Sequence, residues 1–97
     1  MINVLVTLEV KDFELLAVFE KQAVEIMRSY GGNLVRAFET KRNEDGSGQE
    51  VHLLEFPSDD AFAEYRSDSR LIEHAELRKK AIDSMVVVIS GVLKEYT

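Results

Sequence analysis

The chain has 97 residues, a size for one domain, and 45% of them are apolar, enough for a core and too many for a disordered segment. It has no cysteine, which excludes disulfides, thiolate metal sites and cysteine nucleophiles and makes a reducing cytoplasm the expected compartment. The net charge of −6, with its basic residues scattered, repels phosphate backbones and anionic lipid, so neither nucleic acid nor a membrane is an expected partner.

Ile2, Val4, Val6, Leu8 and Val10 alternate with Asn3, Leu5, Thr7 and Glu9, and this period of two predicts a first strand, not a signal peptide. Asp12 is the predicted N-cap of a helix that runs to Tyr30 and is stopped by Gly31-Gly32. The apolar face of that helix, from Phe13 and Leu16 to Val24 and Met27, contains Glu20. A lone carboxylate there is costly, so Glu20 is expected to be paired, protonated or near the surface.

Residues 34–42 and 50–56 read as two strands of a hairpin. The glycine-rich connection NEDGSGQ (43–49) is longer than a two-residue turn and is expected to be mobile. In the third strand His52 shares a face with Leu54 and Phe56, next to Glu50; packing is its first reading and proton transfer its second. Glu55 falls with Val51 and Leu53, either as an inward acid with a raised pKa or as a partner of Arg36 or Lys41.

Ser58 is the predicted N-cap of a helix over 59–67, with Asp59 and Asp60 where negative charge suits the helix dipole. Tyr65, one turn after Phe62, is expected in the core with its hydroxyl free to orient a ligand. SDS (67–69) separates that helix from another over 70–82, whose apolar stripe of Leu71, Ala75 and Ile82 contains Arg78. Either the arginine stem lines the core edge with its head in water, or its planar fork receives a carboxylate or phosphate. Glu20 and Arg78 are expected to meet, directly as a structural pair or across a ligand. His74 lies on the flank of the stripe, as a half-exposed surface residue or as a general base.

Residues 84–90 form the last predicted strand, with Met85, Val87 and Ile89 facing one way and Val86 and Val88 the other. Strand, helix, strand, strand, helix, strand is the α+β, ferredoxin-like β-α-β-β-α-β order, with a four-stranded antiparallel sheet and helices on one face. A second face open to water should be polar, yet Leu5, Val86 and Val88 fall on it. A second copy of the chain is the expected cover, giving a homodimer through the sheet face. No P-loop, dinucleotide fingerprint, nucleophile elbow or metalloprotease motif is present, and two distant histidines make no metal site.

GGNLVRAFE (31–39), EVHLLEFPSDDAFAEY (50–65), Leu77-Arg78 and VVVISG (86–91) resemble a family of uncharacterised proteins in the dimeric α/β-barrel superfamily. The resemblance covers nearly the whole chain and implies a ferredoxin-like protomer and a homodimer. Related branches include cofactor-independent monooxygenases of antibiotic biosynthesis, haem-degrading monooxygenases and lactone isomerases. DDAFAEYRSDSRLIEH (59–74) is similar to the haem-degrading branch, which implies His74 as the haem ligand and Asn3 as a ligand contact. That branch carries a tryptophan where Tyr65 stands here, and with the tryptophan absent no cofactor is expected.

Three functional readings follow. The first is a homodimer that binds a small, anionic molecule in a pocket between sheet and helices, with Arg78, His74 and Tyr65 on its wall. The second is a cofactor-independent monooxygenase or isomerase acting on a small aromatic or enolisable compound, with His74 or His52 as the base. The third is a non-catalytic interaction or scaffold protein whose polar residues are ion pairs.

Overall fold

The computed structural model describes residues 1–96. Strand β1 (Ile2–Val10) alternates as its sequence dictates: Val4, Val6, Leu8 and Val10 are buried while Leu5 and Glu9 are exposed. Helix α1 (Phe13–Arg28) starts where the Asp12 carboxylate accepts hydrogen bonds from the backbone N–H groups of Glu14 and Leu15, at 2.9 and 3.1 Å. It closes when the N–H groups of Gly31 and Gly32 donate to the carbonyls of Arg28 and Met27. This closure requires a left-handed residue, and Gly31 supplies it at φ 73°. Gly32 is constrained differently, because a Cβ there would lie 2.4 Å from the Phe56 ring.

Strands β2 (Asn33–Arg42) and β3 (Gly48–Phe56) form the expected hairpin. Its connection is shorter and more tightly tied than the predicted mobile loop. Asn43 donates its N–H to the Ser47 carbonyl at 2.8 Å, Gly46 turns at φ 87°, and the Gly46 carbonyl accepts from Phe13 N–H at the start of α1. Helix α2 (Asp59–Arg66) begins at the Ser58 cap. The single helix expected over 70–82 is two short ones, α3 (Ser69–Glu73) and α4 (Ala75–Ala81), joined at His74, whose φ and ψ of −92° and 14° leave the helical region. The break lets both segments pack on α1. The Ala81 carbonyl then accepts from Lys11 N–H, and β4 (Ile82–Gly91) starts two residues earlier than the strand predicted over 84–90.

The sheet order is β2-β3-β1-β4, antiparallel throughout, so the protomer is ferredoxin-like. The core lies between the helices and the inner sheet face, where Val4, Leu8, Leu16 and Phe56 are almost fully buried. On the outer face the register aligns two cross-strand rows: Phe38–Val51–Thr7–Val86 and Arg36–Leu53–Leu5–Val88. This mainly apolar belt is open, with Val86 65%, Phe38 58% and Val88 49% exposed. Polar rows containing Glu9 and Gln49 on one side, and Asn3 and Glu55 on the other, border it. Among the described residues no helix is long and apolar enough to cross a membrane.

Candidate functional site

A cavity of about 280 Å³ opens between the inner sheet face and the helices. Val6 and Leu8 of β1, Phe19 of α1, Phe62 of α2, Leu71 of α3 and Met85 of β4 make much of its wall apolar. Five polar residues open onto it: Glu20, His52, Tyr65, Arg66 and Arg78. Four of the residues anticipated from sequence are therefore gathered around one space.

His52 is at the bottom, 4% exposed, because the period of two puts it opposite buried Val6 on the helix-facing side of β3. Two residues earlier on the same face, Glu50 approaches its Nε2 to 2.6 Å. A carboxylate partner makes Nε2 the N–H donor and leaves Nδ1 as the proton acceptor. Nδ1 has no hydrogen-bond partner among the described residues, and no unpartnered side-chain nitrogen or oxygen is sealed in the interior, so Nδ1 is open to the cavity.

The same observation applies to Glu20 and Tyr65. The Glu20 carboxyl makes neither a hydrogen bond nor an ion pair among the described residues, and it is not sealed off. By surface area Glu20 is only half-buried, but the surrounding atoms displace enough water that burial raises its pKa above the ordinary 4.5; His52 opposes the rise and Glu50 adds to it. Tyr65 is buried beside Phe56, with ring centroids 5.4 Å apart, and its hydroxyl likewise lacks a protein partner. Burial, followed by the Glu20 charge, raises the Tyr65 pKa far enough to keep the hydroxyl a neutral donor.

The two arginines lie at the solvent end. Both are exposed, neither is ion-paired among the described residues, and the Arg66 guanidinium stands 5.5 Å over the Phe62 ring. Glu20 and Arg78 do not form the direct pair, so they face the same space from separate places. Arg78 also borders a smaller groove with Lys79 and Asp83.

Three anticipated residues lie elsewhere. His74 sits half-buried at the junction of α3 and α4 and does not line the cavity, because the break there turns it off the stripe. It therefore does not fit an axial haem ligand in that space. Asn3 is on the outer sheet face, where its Nδ2 donates to the Gly91 carbonyl at 3.4 Å. Glu55 is opposite Asn3 on that face; it is no inward acid, and it pairs with neither Arg36 nor Lys41, which stand opposite Leu53 and Gln49. Among the described residues no cluster of three or more acidic or histidine side chains is placed to hold a metal ion.

Two features escaped the sequence reading. Sequence places Glu50 beside His52 but does not anticipate its direct hydrogen bond to the ring. Asp68 accepts from the Tyr30 hydroxyl and from Arg70, tying the start of α3 to the end of α1; this depends on a long-range approach that no local pattern encodes. Arg70 first, and then Tyr30, hold the Asp68 carboxyl well below the usual carboxylate range.

The raised Glu20 pKa gives a testable stability profile. Stability from the protonated form is complete below the unfolded-chain pKa of about 4.3 and is lost as pH climbs through the higher folded value. Glu20→Gln removes that loss. Chemical denaturation should show the variant and the parent equally stable near pH 4, with the variant the more stable of the two at pH 7. Equal stability at both pH values would contradict the burial argument.

Among solved structures the chain is similar to protein Atu4242 from Agrobacterium tumefaciens, at 25% identity and a TM-score of 0.69, covering 97% of this chain and 95% of that one. It is also similar to SnoaB, a cofactor-independent oxygenase from Streptomyces nogalater, at 12% identity and a TM-score of 0.68, covering 97% and 94%. An antibiotic biosynthesis monooxygenase aligns at 15% identity and a TM-score of 0.66, covering 97% and 100%. For the two oxygenases, identities this low establish a shared fold and no shared chemistry. No curated protein sequence matches the chain. The family described as a domain of unknown function (DUF1330) matches residues 3–92, nearly the whole chain, and the protein belongs to that family.

Proposed function

We propose that the protein is a cytoplasmic homodimer in which each protomer binds one small molecule between its sheet and its helices. The observation that carries this reading is the set of unpartnered polar groups in a largely apolar cavity. The Glu20 carboxyl, His52 Nδ1 and the Tyr65 hydroxyl converge on it with no protein partner among the described residues. A largely apolar space onto which several polar groups open without a protein partner has the character of a ligand site. A scaffold protein would be expected to pair Glu20 with Arg78, and that contact is missing. The absence of cysteine favours a reducing compartment, and the open belt on the outer sheet face favours a second copy.

One further observation favours catalysis in the same cavity. Glu50 orients His52 with its acceptor nitrogen toward the cavity, which is how a general base is held for an acidic C–H or phenolic O–H. The base would take that proton and leave the electron pair on the substrate, as cofactor-independent oxygenation or isomerisation requires. The likeness in fold to SnoaB is compatible with this chemistry.

Ala75 lines the cavity, so Ala75→Phe fills it from the helical side. Ligand-observed NMR with a library of ring-sized fragments should give hits on the parent protein that vanish in Ala75→Phe while circular dichroism is unchanged. No hits on the parent, or hits that persist in the filled variant, would sink the cavity as the binding site.

A further inference from the structure

The cavity is polar at two ends of different chemistry. We infer that its ligand is a single-ring aromatic carboxylate with a hydroxyl across the ring, seated carboxylate-outward; this rests on the cavity being a binding site. At the solvent end, Arg66 and Arg78 present guanidinium forks that no carboxylate of the described residues engages. In a chain of net charge −6 with 18 acidic residues, two exposed arginines that line one cavity and have no ion-pair partner among the described residues suit a carboxylate.

The far end differs. His52 is almost fully buried and offers an acceptor nitrogen, and Glu20 beside it has a carboxyl that burial drives toward the neutral form. Together with Tyr65 they suit a neutral hydroxyl, which both donates and accepts. A second carboxylate there would lie near the Glu50 carboxylate and would be repelled. Between the ends Phe19, Phe62 and Tyr65 present rings, and Met27 and Met85 present polarisable sulfur, a wall suited to the edges and faces of an aromatic ring. The volume of about 280 Å³ has room for one ring with a substituent at either side, since a cavity of about 150 Å³ already holds benzene.

Isothermal titration calorimetry of the full chain with 4-hydroxybenzoate, benzoate and 4-methylphenol separates the two ends. The expected result is that 4-hydroxybenzoate binds at least about tenfold more tightly than either analogue. In the Arg66→Gln/Arg78→Gln double variant the advantage over 4-methylphenol should disappear while the advantage over benzoate stays; both side chains are exposed, so the variant is expected to fold. If 4-methylphenol equals 4-hydroxybenzoate, or the preference survives in the double variant, the inference is overturned while the cavity remains a ring-binding site. If none of the three binds, the inference is also overturned, and the fragment experiment with Ala75→Phe decides the cavity itself.

Discussion

In the proposed homodimer, Val88→Asp is expected to turn the dimer into a folded monomer. Val88 is at the β4 end of the row Arg36–Leu53–Leu5–Val88 and is 49% exposed in the isolated chain. Beside it, Val86 ends the row that begins at Phe38, so the two rows form a mainly apolar belt across all four strands, with Arg36 and Thr7 as its polar members. If a second copy covers this belt, residue 88 of each copy is removed from water in a two-fold interface. Each carboxylate placed there without a partner costs about 3–5 kcal/mol and the dimer carries two, which raises the dissociation constant by at least about three orders of magnitude. The side chain points away from the protomer core, so helical content should survive. Size-exclusion chromatography with light scattering at micromolar concentration reads the outcome. Glu9→Ala, on the polar border of the belt, is the matched control and should stay dimeric. A Val88→Asp protein that remains a stable dimer would show that the belt is not the interface.

Phe56→Ala is expected to lower stability by about 3–5 kcal/mol, enough to leave a domain of this size only marginally folded. Phe56 is completely buried at the end of β3, with ring centroids 5.1 Å from Phe62 and 5.4 Å from Tyr65. Gly32 is shaped to it from the other side. Removing the ring opens a hole that the strand end cannot collapse, and it withdraws support from the two α2 rings on the cavity wall. Urea unfolding should show the loss in the midpoint. Any ligand that binds the parent cavity should bind the folded fraction of the variant more weakly. A loss below about 1 kcal/mol would mean the helices repack freely over β3, and the cavity shape would then not depend on this aromatic cluster.

Much of the architecture was legible before any coordinates. The alternation of β1, the Asp12 and Ser58 caps and the Gly31-Gly32 stop are short-range signals, because each depends on backbone groups within a few residues. The same periodicity located Val86 and Val88 on the sheet face away from the helices. Misplaced elements were those decided by distant contacts. Residues 70–82 have an unbroken helical stripe, but the chain breaks it at His74 so that α3 and α4 can each lie on α1. The 43–49 connection looked loose, yet α1 ties it down through the Phe13 N–H.

The site divides in the same way. Sequence by itself determined which residues were anomalous: a carboxylate in the apolar face of α1, an arginine on an apolar stripe, a histidine among β3 core positions. It did so because a charge at a buried register breaks a pattern that is local. Only the tertiary structure decided which of these share a space. Packing α1 and α2–α4 on one sheet face brought Glu20, His52, Tyr65 and Arg78 around one cavity, held Glu20 and Arg78 apart, and left His74, Asn3 and Glu55 outside it. Separation across a cavity depends on how elements far apart in the chain stack, and one-dimensional periodicity carries no information about that distance.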